Sequence, residues 1–210
     1  MLIRKILLAD DHAIVRSGIK FLIKENFDPE TIDEAENEDE IVKCIKAQNY
    51  ELILLDITLP NTDFARLMHW ISVSSPSSKV LVFSMHSEDM YGVRSLQLGA
   101  KGFLHKTVSN EEIVFAIKRV LEGKKYIGQG LAELLAQKDA GAKINNPFNS
   151  LSQREMEIVV HLNSGRSLPE ICNILKIQYS TANTYKRRIF DKLNVHNLLS
   201  LARLMQSFDM

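Results

Sequence analysis

The sequence predicts a doubly wound α/β domain, a five-stranded parallel sheet with helices on both faces, followed by a small all-α domain. Three observations lead there. Short apolar runs alternate five times with amphipathic stretches over the first 122 residues. Three of those runs, ILLA, LILLD and VLVFS, are almost uniformly apolar, as strands buried on both faces must be. From residue 151 onward only helical periodicity remains.

The elements follow in order. Strands are expected at Ile3–Ala9, Thr31–Ala35, Leu52–Asp56, Lys79–Ser84 and Gly102–Leu104, where β-branched and aliphatic residues cluster between polar breaks. Helices are expected between and after them, at His12–Glu25, Asp39–Gln48, Phe64–Val73, Met90–Leu98 and Glu111–Leu121, where apolar residues recur every three or four positions. Ser109 and Glu112 have the capping-box spacing that satisfies two orphan amides at the start of the last of these. The glycines from Gly123 to Gly130 end the alternation. Residues 123–150 read as a linker carrying one helical piece, Leu131–Lys138, and a stretch rich in Ala, Asn and small polar residues. Four helices close the chain, at Gln153–Asn163, Leu168–Leu175, Ser180–Leu193 and Asn197–Ser207; Ser152 with Glu155 and Ser167 with Glu170 repeat the capping-box spacing. The division is therefore 1–122, a linker at 123–150, and 151–210.

Composition bounds the function. With 210 residues, 45% hydrophobic and 25% charged, the chain has the balance of a soluble globular protein, which excludes a disordered tail, a collagen-like fibre or a low-complexity scaffold. No apolar run approaches the roughly 18 residues of a membrane span. Arg4 and Lys5 precede only a strand-sized apolar run and then Asp10-Asp11, so no signal peptide is expected. Cys44 and Cys172 lie far apart inside apolar patterns and read as reduced, buried thiols of a cytoplasmic protein. The zero net charge hides an asymmetry: residues 1–144 carry 18 basic against 21 acidic groups, and residues 145–210 carry 8 against 5. Two modules with different partners, the basic one facing nucleic acid, would produce that split.

In an open parallel sheet, ligands sit beyond the carboxyl ends of the strands. Asp10 and Asp11 follow the first strand, Asp56 ends the third, Ser84 ends the fourth and Lys106 follows the fifth. Taken singly, Asp10 reads as a helix cap, Asp56 as a turn residue and Lys106 as a solvated charge; five such groups at one edge read as a site. Three carboxylates in a cleft repel one another and need a cation or a raised pKa. Mg²⁺, a hard ion that takes carboxylates, waters and phosphate oxygens, suits the set. With that ion an Asp56 oxygen can attack phosphorus, while Lys106 and Ser84 hold the phosphoryl oxygens.

The strings LLADDH, LLDITLP, VFSMH and GAKGFLHK resemble those of response-regulator receiver domains, which have a flavodoxin-like fold, over about the first 122 residues. The resemblance implies that Asp56 accepts a phosphoryl group from a sensor histidine kinase. It implies that Asp10, Asp11, Asp56 and the backbone carbonyl of Thr58 hold Mg²⁺, that Ser84 follows the phosphoryl group, that Phe103 is an aromatic switch and that Lys106 lies beside the phosphate. One position departs: Phe64 stands where the family usually has Gly, four residues after Pro60. The turn Asn61-Thr62-Asp63 can still form, because Asn and Asp tolerate positive φ.

In the C-terminal part, LPEICNILKIQYSTANTYKRRIFDKL reads as helix, turn, helix. Ile171, Cys172, Leu175 and Ile177 give the first helix an apolar face, and Ala182, Tyr185, Ile189 and Leu193 do so for the second. The rest of the second helix carries Asn183, Lys186, Arg187, Arg188 and Lys192, a basic surface of the kind that enters a DNA major groove. LSQRE, TANTYKRRI and KLNVHN resemble the LuxR/FixJ-type (NarL) helix-turn-helix domain. By that resemblance Asn183, Thr184 and Arg187 face base edges, while Thr181, Tyr185, Lys186, Arg188 and Lys192 lie nearer the backbone. Gln178, Ala182 and Asn183 depart from the family's usual Ser, Val and Lys. The poorer N-cap at Gln178 costs about 1 kcal/mol, and the missing lysine charge weakens the phosphate contact. The apolar pattern Leu198, Leu201, Ala202, Leu204, Met205 suits either a dimer seam or core.

The expected protein is thus a cytoplasmic, phosphorylation-controlled transcription regulator, not an enzyme. It takes its phosphoryl group from a histidine kinase, dimerises when phosphorylated and binds double-stranded DNA. Two alternatives stay open: a DNA-binding regulator independent of phosphorylation, and a Mg²⁺-dependent aspartyl-phosphate phosphatase. The latter normally needs a second Asp two residues after the nucleophile, where this chain has Thr58.

Overall fold

A computed structural model describes residues 5–60, 62–86, 88–139 and 147–206. Ile3 and Arg4 of the expected first strand, Asn61 of the expected turn, linker residues 140–146 and Ser207 of the expected last helix lie outside the described residues. The chain forms two compact units, Met1–Lys143 and Ile144–Met210.

In the first unit, β1 (Lys5–Ala9), β2 (Thr31–Ala35), β3 (Leu52–Leu55), β4 (Lys79–Ser84) and β5 (Gly102–His105) form one parallel sheet in the order β2-β1-β3-β4-β5. Helices α1 (Ala13–Asn26), α2 (Glu38–Ala47), α3 (Phe64–Ser74), α4 (Glu88–Gln97) and α5 (Asn110–Leu121) alternate with the strands. Side chains alternate across the sheet. Ile6, Leu8, Leu52, Leu54, Leu81, Phe83 and Leu104 pack against Ile19 and Ile23 of α1 and Ile113, Ala116, Ile117 and Val120 of α5. Each of these larger side chains, from Val to Phe, contributes about 1.5–3 kcal/mol when fully buried. The strand order reverses between β1 and β3, so the carboxyl ends of these two strands flank a crevice. Asp10 and Asp56 immediately follow those strands.

Residues 123–139 are folded onto the first unit. Tyr126 is buried in the α1–α5 core and forms a parallel bridge with Gly102, extending the sheet past β5. Its hydroxyl donates to Glu112 Oε1 at 2.6 Å. The expected capping box at α5 is accordingly half formed: Ser109 Oγ accepts from the Glu112 amide at 3.3 Å, while the Glu112 carboxylate turns to Tyr126. Helix α6 (Gln129–Asp139) packs against α4. Leu131 is fully buried against Gly92, and its amide donates to Glu88 Oε2 at 2.9 Å. Glycine permits the close approach here: a Cβ at Gly102 would lie 2.8 Å from the Tyr126 carbonyl oxygen, and one at Gly128 would lie 2.7 Å from Glu88 Oε1.

The second unit is helical: a 3-10 turn at Pro147–Ser150, then α7 (Gln153–Asn163), α8 (Leu168–Leu175), α9 (Tyr179–Leu193) and α10 (Leu198–Gln206). The capping box at Ser152/Glu155 forms in full, whereas at Ser167/Glu170 the Ser167 amide and hydroxyl both donate to Glu170 Oε2, at 2.7 and 2.6 Å. Helices α8 and α9 end on left-handed residues, Lys176 (φ 50°) and Asn194 (φ 52°). Arg154 Nη2 donates to the last carbonyl of α8, at Leu175, at 2.6 Å. Leu201 and Met205 are core, whereas Leu198 and Leu199 are exposed. The cysteines are free but half-buried, which corrects the expectation of buried thiols.

Candidate functional sites

The first site lies at the carboxyl ends of β1, β3, β4 and β5. Asp10 and Asp56 are buried, and the Lys106 ammonium stands between them, 2.6 Å from Asp10 Oδ2 and 2.8 Å from Asp56 Oδ2. Burial alone would lower the lysine's pKa; the negative charges of Asp56 and Asp10, with their hydrogen bonds, outweigh it and raise the pKa above its usual value. Thr58 covers Asp56 from the solvent side: its hydroxyl donates to Asp56 Oδ2 at 2.8 Å and its amide to Oδ1 at 3.2 Å. Ser84 is fully buried, its hydroxyl accepting from the His86 amide at 3.2 Å, and the Ser84 carbonyl receives the Lys106 amide at 2.8 Å. The β4–β5 ladder thereby sets Lys106 beside Ser84.

Asp11 is more open. Its carboxylate and that of Asp10 both meet His12 Nδ1, at 2.7 and 3.2 Å. One ligand atom from each of Asp10, Asp11, His12 and Asp56 falls within 4.8 Å of the others. Three carboxylates at this spacing are hard oxygen donors of the type Mg²⁺ takes, so the residues present fit that ion. His12 is a neighbour that its sequence spacing did not single out. The other two histidines near the edge make local contacts: His105 meets Thr107 Oγ1 and the Met85 carbonyl, and His86 packs its ring on Tyr91, centroids 4.7 Å apart. Burial holds His86 below its ordinary pKa; Asp56 opposes this, and His105 and Lys106 add to it.

Phe103 is wholly buried on β5. Its position in the middle of a strand, with backbone paired to Val82, points it at the sheet face that α4 covers. Sequence reasoning missed Arg16, a buried guanidinium on the core stripe of α1 whose Nη1 donates to the Asp10 carbonyl at 2.7 Å. The signal was present: Arg16, Ile19 and Ile23 share helical spacing, and Glu34 and Glu36 end the neighbouring strand.

The second site is the outer face of α9. Ala182, Ile189 and Leu193 turn inward and are buried. Thr181, Asn183, Thr184, Arg187 and Arg188 are exposed, and Tyr185 and Lys186 are half-buried. Lys186 stacks its ammonium on Phe190, 5.4 Å from the ring centroid. Thr184 Oγ1 donates back to the Ser180 carbonyl at 2.9 Å. Gln178 makes no side-chain cap, as its identity led one to expect. Lys192 stands apart from this set: its ammonium donates to Glu155 Oε2 at 2.6 Å, neutralising a carboxylate that is almost fully buried. Burial would raise the Glu155 pKa, and the hydrogen bonds from Lys192 and Ser152 bring it below its usual value instead.

Both parts of the chain resemble known proteins. Residues 6–118 match the family model for the response regulator receiver domain, and residues 149–205 match that for bacterial regulatory proteins of the luxR family. The chain is 31% identical over 200 residues to the response regulator UvrY of Escherichia coli O157:H7, covering 95% of this chain and 92% of that protein. It is 31% identical over 201 residues to the response regulator GacA of Pseudomonas aeruginosa, covering 95% and 94%. Its fold is similar to that of RcsB from Salmonella enterica serovar Typhimurium bound to promoter rprA with the phosphomimetic BeF3⁻, with a TM-score of 0.65 and 21% identity over 97% of this chain and 99% of that one. The chain belongs to the response regulators, transcription regulators that join a receiver domain to a luxR-family DNA-binding domain.

Proposed function

We propose that Asp56 is the phosphoacceptor, that its partner is a sensor histidine kinase, and that phosphorylation governs DNA binding by α9. The observation that carries this reading is the Lys106 ammonium held between the buried carboxylates of Asp10 and Asp56. In the transfer, an Asp56 oxygen forms the new bond to phosphorus as the phosphorus–nitrogen bond of the kinase phosphohistidine breaks. Lys106 then exchanges carboxylate for phosphoryl oxygen, and the buried Ser84 hydroxyl is free to turn from the His86 amide to the same group. Mg²⁺, when bound by Asp10, Asp11, Asp56 and the Thr58 carbonyl, supplies charge neutralisation for the incoming phosphoryl group. The proposed organisation is a receiver module at 1–122, a connector at 123–150 whose first part packs on the receiver, and a DNA-binding module at 151–210.

For the second module, Asn183, Thr184 and Arg187 read base edges from the major groove, and Thr181, Tyr185, Lys186 and Arg188 contact the backbone. RcsB is described bound to promoter DNA and, in a further structure, as two dimers on two parallel DNAs. A phosphorylated homodimer on paired half-sites about one helical turn apart is the corresponding reading here. The regulator works in the cytoplasm and does not turn over substrate; among the described residues no helix is long and apolar enough to cross a membrane.

The test is incubation with a small phosphodonor and Mg²⁺, followed by acid-labile label and promoter binding. Wild type gains both, and Asp56→Ala gains neither; label at wild-type level in Asp56→Ala overturns the acceptor assignment. The buried position of Phe103 favours one second reading, in which the receiver is held in its output form without phosphate. Equal DNA affinity of wild type and Asp56→Ala, with and without donor, is the outcome that reading requires.

A further inference from the structure

Arg16 occupies an unusual place for a cation. Its side chain is 7% exposed, on the face of α1 that packs against the sheet. A buried guanidinium persists only when its donors are satisfied, and each prong of this one has a different destination. Nε donates to Glu34 Oε2 at 3.0 Å, Nη2 to Glu36, and Nη1 to the main-chain carbonyl of Asp10 at 2.7 Å. Burial opposes the charge on Arg16, and Glu34 and Glu36 restore it, holding its pKa above the usual value. The fork therefore ties the end of β2 to the turn after β1.

The carbonyl it holds is the one that defines the Asp10–Asp11 peptide plane. The Asp10 amide is fixed separately, donating to the Ala35 carbonyl at 3.0 Å, and the Asp10 carboxylate is held by the His12 amide at 2.9 Å and by Lys106. The bond from the His12 amide closes a turn across Asp11, and among these contacts only Arg16 grips the carbonyl inside that turn. Arg16 thereby holds the Asp10–Asp11 peptide plane, and with it the angle at which the Asp11 carboxylate meets that of Asp10. We infer that Arg16 is a positioning residue for the divalent cation: it keeps Asp10 and Asp11 converged while touching neither carboxylate. The inference rests on the reading of Asp10, Asp11 and Asp56 as the cation ligands.

Geometry and charge make opposite demands here, which separates this role from a merely electrostatic one. A positive charge near a cation site repels the ion, so removing it would tighten binding if charge were all that mattered. If Arg16 orients the ligands, perturbing it weakens binding although every ligand remains. Outer-shell groups of this type change metal affinity by about 10–100-fold.

The experiment measures Mn²⁺ binding to the full chain, reading the free ion by electron paramagnetic resonance, with the metal-free thermal midpoint recorded for each variant. Arg16→Lys keeps the charge but loses the three-way fork, and its dissociation constant is expected to rise about tenfold. Glu36→Gln, at a side chain 57% exposed, loosens one prong and should shift affinity the same way by less. Lys20→Ala removes another partner of Glu34, at 2.6 Å, without contact to Asp10, and should leave affinity unchanged. Asp11→Asn reports on the site itself. Weakened binding in Asp11→Asn with unchanged or tighter binding in Arg16→Lys overturns the positioning role. Unchanged binding in Asp11→Asn overturns the cation-site reading on which it stands. Should Arg16→Lys fail to fold, Glu36→Gln decides, and wild-type affinity there overturns the inference.

Discussion

Lys106 and Asp56 form a 2.8 Å ion pair in which the two side chains are only 6% and 1% exposed. Withdrawing two charges from water costs several kcal/mol each, so the pair persists because each charge answers the other and Asp10 closes the set. Replacing Lys106 by Met should leave two buried carboxylates facing each other and destabilise the receiver by about 3–5 kcal/mol in urea unfolding. Millimolar Mg²⁺ should then stabilise the variant more than it stabilises wild type, because the ion takes over the neutralising role. A variant as stable as wild type and indifferent to Mg²⁺ would contradict the arrangement described.

His86 supplies a pH signature. Its pKa is held below the ordinary 6.5 by burial in the folded protein, so folding favours the neutral ring. A depressed folded-state pKa contributes stability above the unfolded value, lost as pH falls through the folded one. The receiver should therefore lose stability as pH drops below about 6.5. His86→Phe, which keeps a ring beside Tyr91, should show a smaller drop in thermal midpoint between pH 7.5 and 5.5.

The hydrogen bond from Tyr126 to Glu112 anchors the start of the connector. Tyr126→Phe should cost about 1–2 kcal/mol, measured by urea unfolding. Gly102→Ala should do more, since its Cβ would lie 2.8 Å from the Tyr126 carbonyl, where main chain and not a flexible side chain has to move. Limited proteolysis should then cut sooner within 124–139 in both variants, fastest in Gly102→Ala.

Lys192 and Arg187 sit on one helix and should behave differently. Lys192→Ala strips a buried carboxylate of its partner, and with the lysine itself 39% exposed the cost should be about 1–2 kcal/mol. Arg187→Ala should leave the thermal midpoint unchanged, weaken promoter binding and relax discrimination at one base pair by about 1–3 kcal/mol. Fluorescence anisotropy with matched and mismatched operators checks both.

The strands were legible because LLIL-type runs admit few other fates: β3 is buried at every position. The edge location of Asp10, Asp56, Ser84 and Lys106 followed from the strand ends alone. What stayed hidden depended on contacts between segments distant in sequence. Glu112 has capping-box spacing, yet Tyr126 competes for its carboxylate, a rivalry no local pattern contains. Lys192 belongs by periodicity to a basic helix, yet Glu155, 37 residues earlier, claims its charge. The spacing of Arg16 with Ile19 and Ile23 marks it as inward-facing, but its three acceptors, on two different strand ends, are set by the fold and not by local pattern. Of the glycines of 123–130, Gly123 does mark the break, at φ 82° after α5, whereas Gly128 and Gly130 lie against the Glu88 carboxylate.

The way Tyr126 docks on Gly102 has a consequence for self-association. Beyond the start of β5, at Gly102, the rim of the sheet is met by the protein's own main chain. At the opposite rim, β2 is five residues long and bears Asp33 and Glu34, charges that penalise an incoming strand. Strand addition is thereby disfavoured at both borders. A pairing of two copies then falls to helical surfaces, where side-chain fit decides and single substitutions adjust it.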